Sequence, residues 1–273
     1  MPPARILFWA ATVGGIVFTA RSLIAQPPPL GVSLAVANLY VALLLSGVFV
    51  LRLRMFADAV VRGPRDATGV ALTFDDGPDP VHTREVLDVL DKHQAKATFF
   101  VIGKKAEAHR EVVEEIVRRG HQVGVHGFGH ARLFSLWGSK RVREDLEKAV
   151  KVLTSITGQT PRLFRPPIGH TNPTIARIAD ELDLTVVGWS VGARDGLAGT
   201  KPADVVARVS RGLHDGAIVL LHDAPEHGTR KPAGVTALDA ILDAIASKNL
   251  RVTPLQTWLD DPTPEDAATP AGP

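Results

Sequence analysis

The sequence predicts an α/β fold made of repeated β-α units around a parallel sheet, preceded by one or two apolar helices. Three observations predict it. Beyond Gly63-Pro64, short apolar runs alternate with longer amphipathic ones; reactive side chains recur where the short runs end; and two long apolar stretches precede Arg52. With 273 residues, 45% of them hydrophobic, the chain can form one sizeable domain and have residues left over.

The surplus lies at the start. Residues 6–25 are apolar apart from Arg21 and a few small polar side chains, and residues 30–51 carry no charge. Each stretch is close to the roughly 20 residues that a helix needs to cross a bilayer. Gln26-Pro27-Pro28-Pro29 interrupts them as the turn of a tight membrane hairpin would. A buried core helix is the other reading of either stretch, and the first could instead be a signal peptide opening on Arg5, although Leu23-Ile24-Ala25 is a poor cleavage site. Arg52, Arg54, Arg62 and Arg65 follow the second stretch and favour the cytoplasmic leaflet with its anionic lipid heads. The expected location is therefore a bacterial-type cell membrane with the catalytic part on the cytoplasmic face. A single remaining anchor would turn it outward. The expected organisation is a membrane anchor over 1–57, a linker over 58–67, a catalytic domain over 68–260 and a disordered, proline- and alanine-rich tail over 261–273.

Strands are expected over 70–74, 97–101, 122–125, 163–165, 185–189, 217–221 and 250–253, with helical periodicity between them. The helix expected over 111–120 shows an apolar stripe, a basic last turn and a terminal glycine. Helices over 139–157 and 235–248 follow the same logic. A net charge of +2 with no basic stripe interleaved with aromatics excludes nucleic acid as a partner. The absence of cysteine excludes disulfides and thiolate chemistry.

In folds of this kind reactive groups sit on loops after the C-terminal ends of strands. Thr73-Phe74-Asp75-Asp76-Gly77-Pro78 puts two carboxylates at such an end and then forces a turn. Adjacent strand residues point to opposite sides, so a site using both must exploit that turn. One could hold a metal while the other moves a proton. His126 and His130, spaced i, i+4 after the third run, suit one metal if the segment coils. Phe164-Arg165-Pro166-Pro167-Ile168-Gly169 sets a guanidinium before two prolines that fix the following backbone and aim its N–H groups. Leu220-Leu221-His222-Asp223 ends a buried run in an imidazole and a carboxylate. Taken singly, each reads equally as a surface turn or a satisfied strand-end side chain.

In this order, the segments resemble the polysaccharide deacetylases of the NodB-homology type, the fourth carbohydrate esterase family, from about Thr68 to Leu259. The resemblance implies a distorted (β/α)7 TIM-like barrel and a divalent metal, commonly Zn2+, with Co2+, Ni2+ or Mn2+ as other candidates. Asp76, His126 and His130 would be its ligands, Asp75 the general base, Arg165 the group holding that base, His222 the general acid and Asp195 its partner. The backbone N–H of Ile168 would face the oxyanion, and Leu220 would line the acyl pocket. The implied reaction removes an N-acyl group, most often acetyl, from an amino sugar in a polysaccharide, in peptidoglycan or on a polyprenyl-linked glycan, with membrane lipid as a further partner. A carbohydrate O-acyl esterase and a non-catalytic, membrane-tethered carbohydrate-binding barrel are the alternatives. Three departures stand out: Gly127 replaces a common serine or threonine, Ile168 a common tyrosine, and the segment 189–196 keeps Asp195 but loses an earlier acid and the tryptophan that often follows. His170 could touch substrate or lie on the surface.

Overall fold

The computed structural model describes residues 1–25 and 27–260, so the tail expected over 261–273 lies outside the described residues. Helices α1 (Pro3–Ile24) and α2 (Leu30–Phe49) fold back on one another, with Thr12 Oγ1 and Tyr40 Oη 2.9 Å apart between them. Both are long and apolar enough to cross a membrane, and almost none of their surface is buried.

The remaining elements run β1 (Val70–Asp75), α3 (His82–Lys92), β2 (Thr98–Val101), α4 (Gly103–Ala108), α5 (Arg110–Arg118), β3 (Gln122–Val125), α6 (Ser139–Thr157), β4 (Leu163–Phe164), α7 (Pro173–Glu181), β5 (Thr185–Val186), β6 (Val191–Gly192), α8 (Pro202–Gly212), β7 (Ala217–His222), α9 (Ala233–Ser247) and α10 (Thr257–Asp260). All seven strands are parallel to their neighbours and form one curled sheet in the order β5-β4-β3-β2-β1-β7-β6. Alternation along β1 decides what faces where. Val70, Leu72 and Phe74 join the main core under the helices, whereas Ala71 joins a second cluster with Phe100, Ile218 and Trp258 inside the curl. By the same period Thr73, Asp75, Leu220 and His222 belong to the inner face.

The expected strand over 185–189 is two short strands joined by a bend. Val187 N–H still donates to Phe164 O, but Gly188 N–H turns to Val60 O and Ser190 N–H to Ile218 O. The segment thereby leaves β4 and arrives beside β7, bringing the two edges of the sheet together. The expected strand over 250–253 is absent. Only Val252 bridges to Val70, because β2 occupies that edge of β1 from Thr73 onward. Residues 58–67, expected as a linker, include bridges from Val60 to Val187 and from Arg62 to Ala217. Leu51, Met55, Ala57 and Ala59 are buried, so the chain after α2 is packed onto the sheet.

Candidate active site

Strand register sets the site. Asp75 pairs with His222 across β1 and β7, and Val101, Val125 and Phe164 lie at one level across β2, β3 and β4. The residues that follow, His126 and Arg165, therefore emerge at the same end. Asp75 and His126 line an open cleft of about 490 Å3 together with Asp76, His130, Ile168, Leu220 and His222; Arg165 lies buried beneath it.

Asp75 reaches the cleft by alternation and Asp76 by a backbone reversal, since its φ of 74° lies in the left-handed region. The turn then needs glycine: a Cβ on Gly77 would come 2.3 Å from Asp223 Oδ2. Lys105 Nζ tethers it by donating to Asp76 O and Pro225 O, each at 2.7 Å.

Arg165 is fully buried and donates from Nη1 to Asp75 Oδ1 at 2.7 Å and Thr73 Oγ1 at 2.8 Å, and from Nη2 to Gly188 O at 2.8 Å. Its guanidinium lies 4.2 Å from the Phe100 ring centroid. Its carbonyl accepts a hydrogen bond from His126 Nδ1 at 2.7 Å, which leaves the Nε2 lone pair for the cleft. The His126–His130 segment is a loop, with Gly127 at φ 75° and His130 at φ 50°. Asp145 of α6 accepts the Phe128 and Gly129 N–H groups at 2.7 and 3.3 Å and steadies the loop in place of the missing hydroxyl.

One donor atom from each of Asp76, His126 and His130 lies within 4.8 Å of the others. His130 Nε2 is 3.2 Å and His126 Nε2 3.5 Å from Asp76 Oδ1. That oxygen is buried without a hydrogen-bond partner among the described residues. Burial pushes the Asp76 carboxyl up, but the His126 and His130 imidazoles beside it hold it well below its usual range. Burial, reinforced by His126, pushes His130 down to about 4, which keeps it free of a proton near neutrality. A carboxylate and two imidazoles around an orphaned buried oxygen fit a divalent cation.

On the other side of the cleft, Asp195 is fully buried. Its Oδ2 accepts the His222 backbone N–H at 2.8 Å, and its Oδ1 lies 2.9 Å from His222 Nδ1. Burial alone would lower the His222 pKa, but the Asp195 hydrogen bond and charge raise it to about 9. A Cβ on Gly234 would stand 2.1 Å from Asp195 Oδ2, so α9 must begin with a glycine there. Ile168 takes φ 52°, and its N–H has no backbone partner among the described residues, whereas those of Gly169 and His170 are tied to the Pro166 and Pro167 carbonyls. His170 packs away from the cleft against Phe49.

The nine expected residues thus converge. Sequence reasoning missed Glu226 and Arg132, which also line the cleft; Arg132 is paired with Glu226 at 2.7 and 2.5 Å, and Glu226 Oε1 is 3.4 Å from His130 Nδ1. Both sit in loops after strand ends, the signal that would have found them. Lys105 and Asp145 lie on helices and carry no such signal.

Residues 62–187 match the family model described as polysaccharide deacetylase. The chain is 33% identical over 193 residues to a peptidoglycan-N-acetylglucosamine deacetylase of Bacillus cereus, covering 71% of this chain and 69% of that one. The chain belongs to the polysaccharide deacetylase family. It is also 34% identical over 209 residues to a chitooligosaccharide deacetylase of Bradyrhizobium, covering 72% of this chain and 94% of the relative. Among solved structures, a carbohydrate esterase family 4 pseudoenzyme of Bacillus anthracis superposes with a TM-score of 0.68 at 28% identity, over 76% of this chain and 71% of that one. As a member of the family this deacetylase is a metal-dependent hydrolase acting on carbohydrate.

His126→Ala removes one of three cation donors, whereas Asp195→Asn leaves all three. Metal analysis of the purified deacetylase is expected to find the divalent ion lost from the first variant and kept in the second. Equal metal content in both would contradict the assignment of the donors.

Proposed function

We propose that this chain hydrolyses the N-acetyl group of an amino sugar at a membrane, with Asp75 as base and His222 as acid. The observation that carries the reading is the division of labour between the adjacent aspartates. Arg165 occupies Asp75 Oδ1, which leaves Oδ2 beside the cation donors, 3.7 Å from His126 Nε2, while Asp76 completes the donor set.

Asp76, His126 and His130 would hold the cation, zinc in this reading. It supplies Lewis acidity, which lowers the pKa of water and polarises the acyl carbonyl. Asp75 Oδ2 takes one proton from water as the water oxygen bonds to the acyl carbon. The Ile168 N–H, free of a backbone partner among the described residues, would donate to the oxygen where negative charge develops. His222, protonated at neutral pH through Asp195, gives its proton to the sugar nitrogen as the C–N bond breaks; a free amine leaves with acetic acid, which keeps the second proton of the water and ionises in solvent. Leu220, beside His222 on the cleft wall, fits the acyl methyl.

The relatives described above support an N-acetylated glucosamine unit as the substrate class. A pseudoenzyme in the family makes the residues themselves decisive, and base, acid and all three donors are present here, against a purely binding role. The two apolar helices support a membrane hairpin joined to a catalytic (β/α) barrel, and Arg52 and Arg54 support the cytoplasmic face. There the substrate would be a polyprenyl-linked amino sugar; on the outer face it would be a wall polymer.

Full-length, zinc-loaded protein should release free amine and acetate from N-acetylglucosamine substrates, and Asp75→Asn should lose about 100- to 10,000-fold in rate. No amine release from any such substrate by the wild type would overturn the reading. The acid must carry its proton, so on the alkaline side the rate should fall as pH rises through about 9, the His222 value. Asp195→Asn removes the charge that raises it, so the falling limb should move to lower pH; an unmoved limb would argue against His222 as the acid. Alkaline phosphatase and a fluorescent protein, fused in turn after Pro273 in bacterial cells, read the side. Fluorescence without phosphatase activity is expected, and an active phosphatase would place the cleft outside.

A further inference from the structure

The end of α2 is joined to the segment that continues from the cleft wall at Ile168. Val48 O accepts the Thr171 N–H at 3.1 Å, and the Phe49 ring meets His170 edge-on with centroids 4.6 Å apart. His170 is two residues from Ile168, which lines the cleft and is 41% exposed. The same wall continues to a second apolar feature. Asn172 Nδ2 donates to Ser135 O at 2.7 Å and so ties the wall to the turn Phe134–Leu136. Phe134 is buried among core aromatics and anchors that turn, while Leu133 and Leu136 remain 64% and 75% exposed.

Single exposed leucines are ordinary on a protein surface. Here they are linked through two hydrogen bonds to the end of a helix whose exposed surface is itself apolar, with Phe49 half exposed. Just beyond that end, Arg52 and Arg54 are exposed, and their charge suits lipid phosphates. Exposed leucines tied by hydrogen bonds to the end of a membrane-length helix, with exposed arginines just beyond that end, have the chemistry of an interfacial surface, so a lipid bilayer is the occupant this rim fits. We infer that Leu133, Leu136 and Ile168 rest on the bilayer surface and hold the mouth of the cleft at the lipid headgroups. The cleft then takes amino sugars presented at the membrane surface. This rests on the hairpin reading given above.

The natural chain contains no cysteine, so single-cysteine variants of the full-length protein can be labelled without background. Leu136→Cys, Leu39→Cys in the middle of α2 and Gln159→Cys at the opposite end of the sheet would each carry an environment-sensitive fluorophore. The labelled proteins are reconstituted in vesicles of neutral and anionic phospholipid and exposed to lipid-borne nitroxide or aqueous iodide. The expected result is that labels at 136 and 39 lose emission to the nitroxide and the label at 159 loses it only to iodide. If the label at 39 responds to nitroxide while that at 136 behaves like that at 159, the rim does not touch lipid and the inference is overturned with the hairpin intact. If neither 39 nor 136 responds, the hairpin reading fails and takes the inference with it. Equal nitroxide quenching at 159 would also overturn it, since the contact would have no preferred face.

Discussion

The arrangement depends on one buried guanidinium. Arg165 sits inside the curled sheet without solvent, and its side chain holds Asp75 while its carbonyl fixes His126. Taking such a pair out of water is costly, and breaking it by removing one partner typically costs about 3–5 kcal/mol because the other charge is left uncompensated. The surroundings offset this: Thr73 Oγ1, the Val187 and Gly188 carbonyls and the Phe100 ring all face the guanidinium. A lysine would keep the charge but lack the planar fork that reaches these acceptors together. The pair earns its place by specificity. With Oδ1 committed to arginine, Asp75 presents one oxygen, while Asp76 is left as a carboxylate with an unsatisfied buried atom.

The fold delivers the parts to this centre through register and through a few strained backbone positions. Parallel pairing puts Asp75, His126, Arg165 and His222 at one end of four strands. Asp76, His130 and Ile168 then take left-handed conformations that side chains other than glycine adopt rarely. Such strain persists only where the surroundings over-determine it, and here Lys105, Asp145 and the Pro166-Pro167 step do so.

Much of this was legible in the chain and some was not, for physical reasons. β1, β3 and β7 are apolar runs long enough to read directly, and the helix at Ser139–Thr157 has both its stripe and its terminal glycine. β5 and β6 are two residues each, too short to carry a period, and the bend between them is set by Val60, far away in sequence. The run over 250–253 has a strand's composition but meets an edge already taken. The site residues at strand ends were readable because turn chemistry marks them. Lys105, Asp145 and Gly234 act through tertiary contacts and look like ordinary helix residues in the sequence. The packing of residues 51–62 onto the sheet was equally hidden, and together with the Val48–Thr171 and Phe49–His170 contacts it joins the apolar helices to the sheet.

The account turns on Asp75 and Asp76 having different tasks although they are neighbours in sequence. Anomalous diffraction from crystals of the full-length protein soaked in zinc tests this directly. The expected result is one peak about 2.0–2.2 Å from Asp76, His126 and His130, with Asp75 still bonded to Arg165 and outside bonding distance of the ion. A peak ligated by Asp75, or an Arg165 that has released it, would contradict the division between base and ligand.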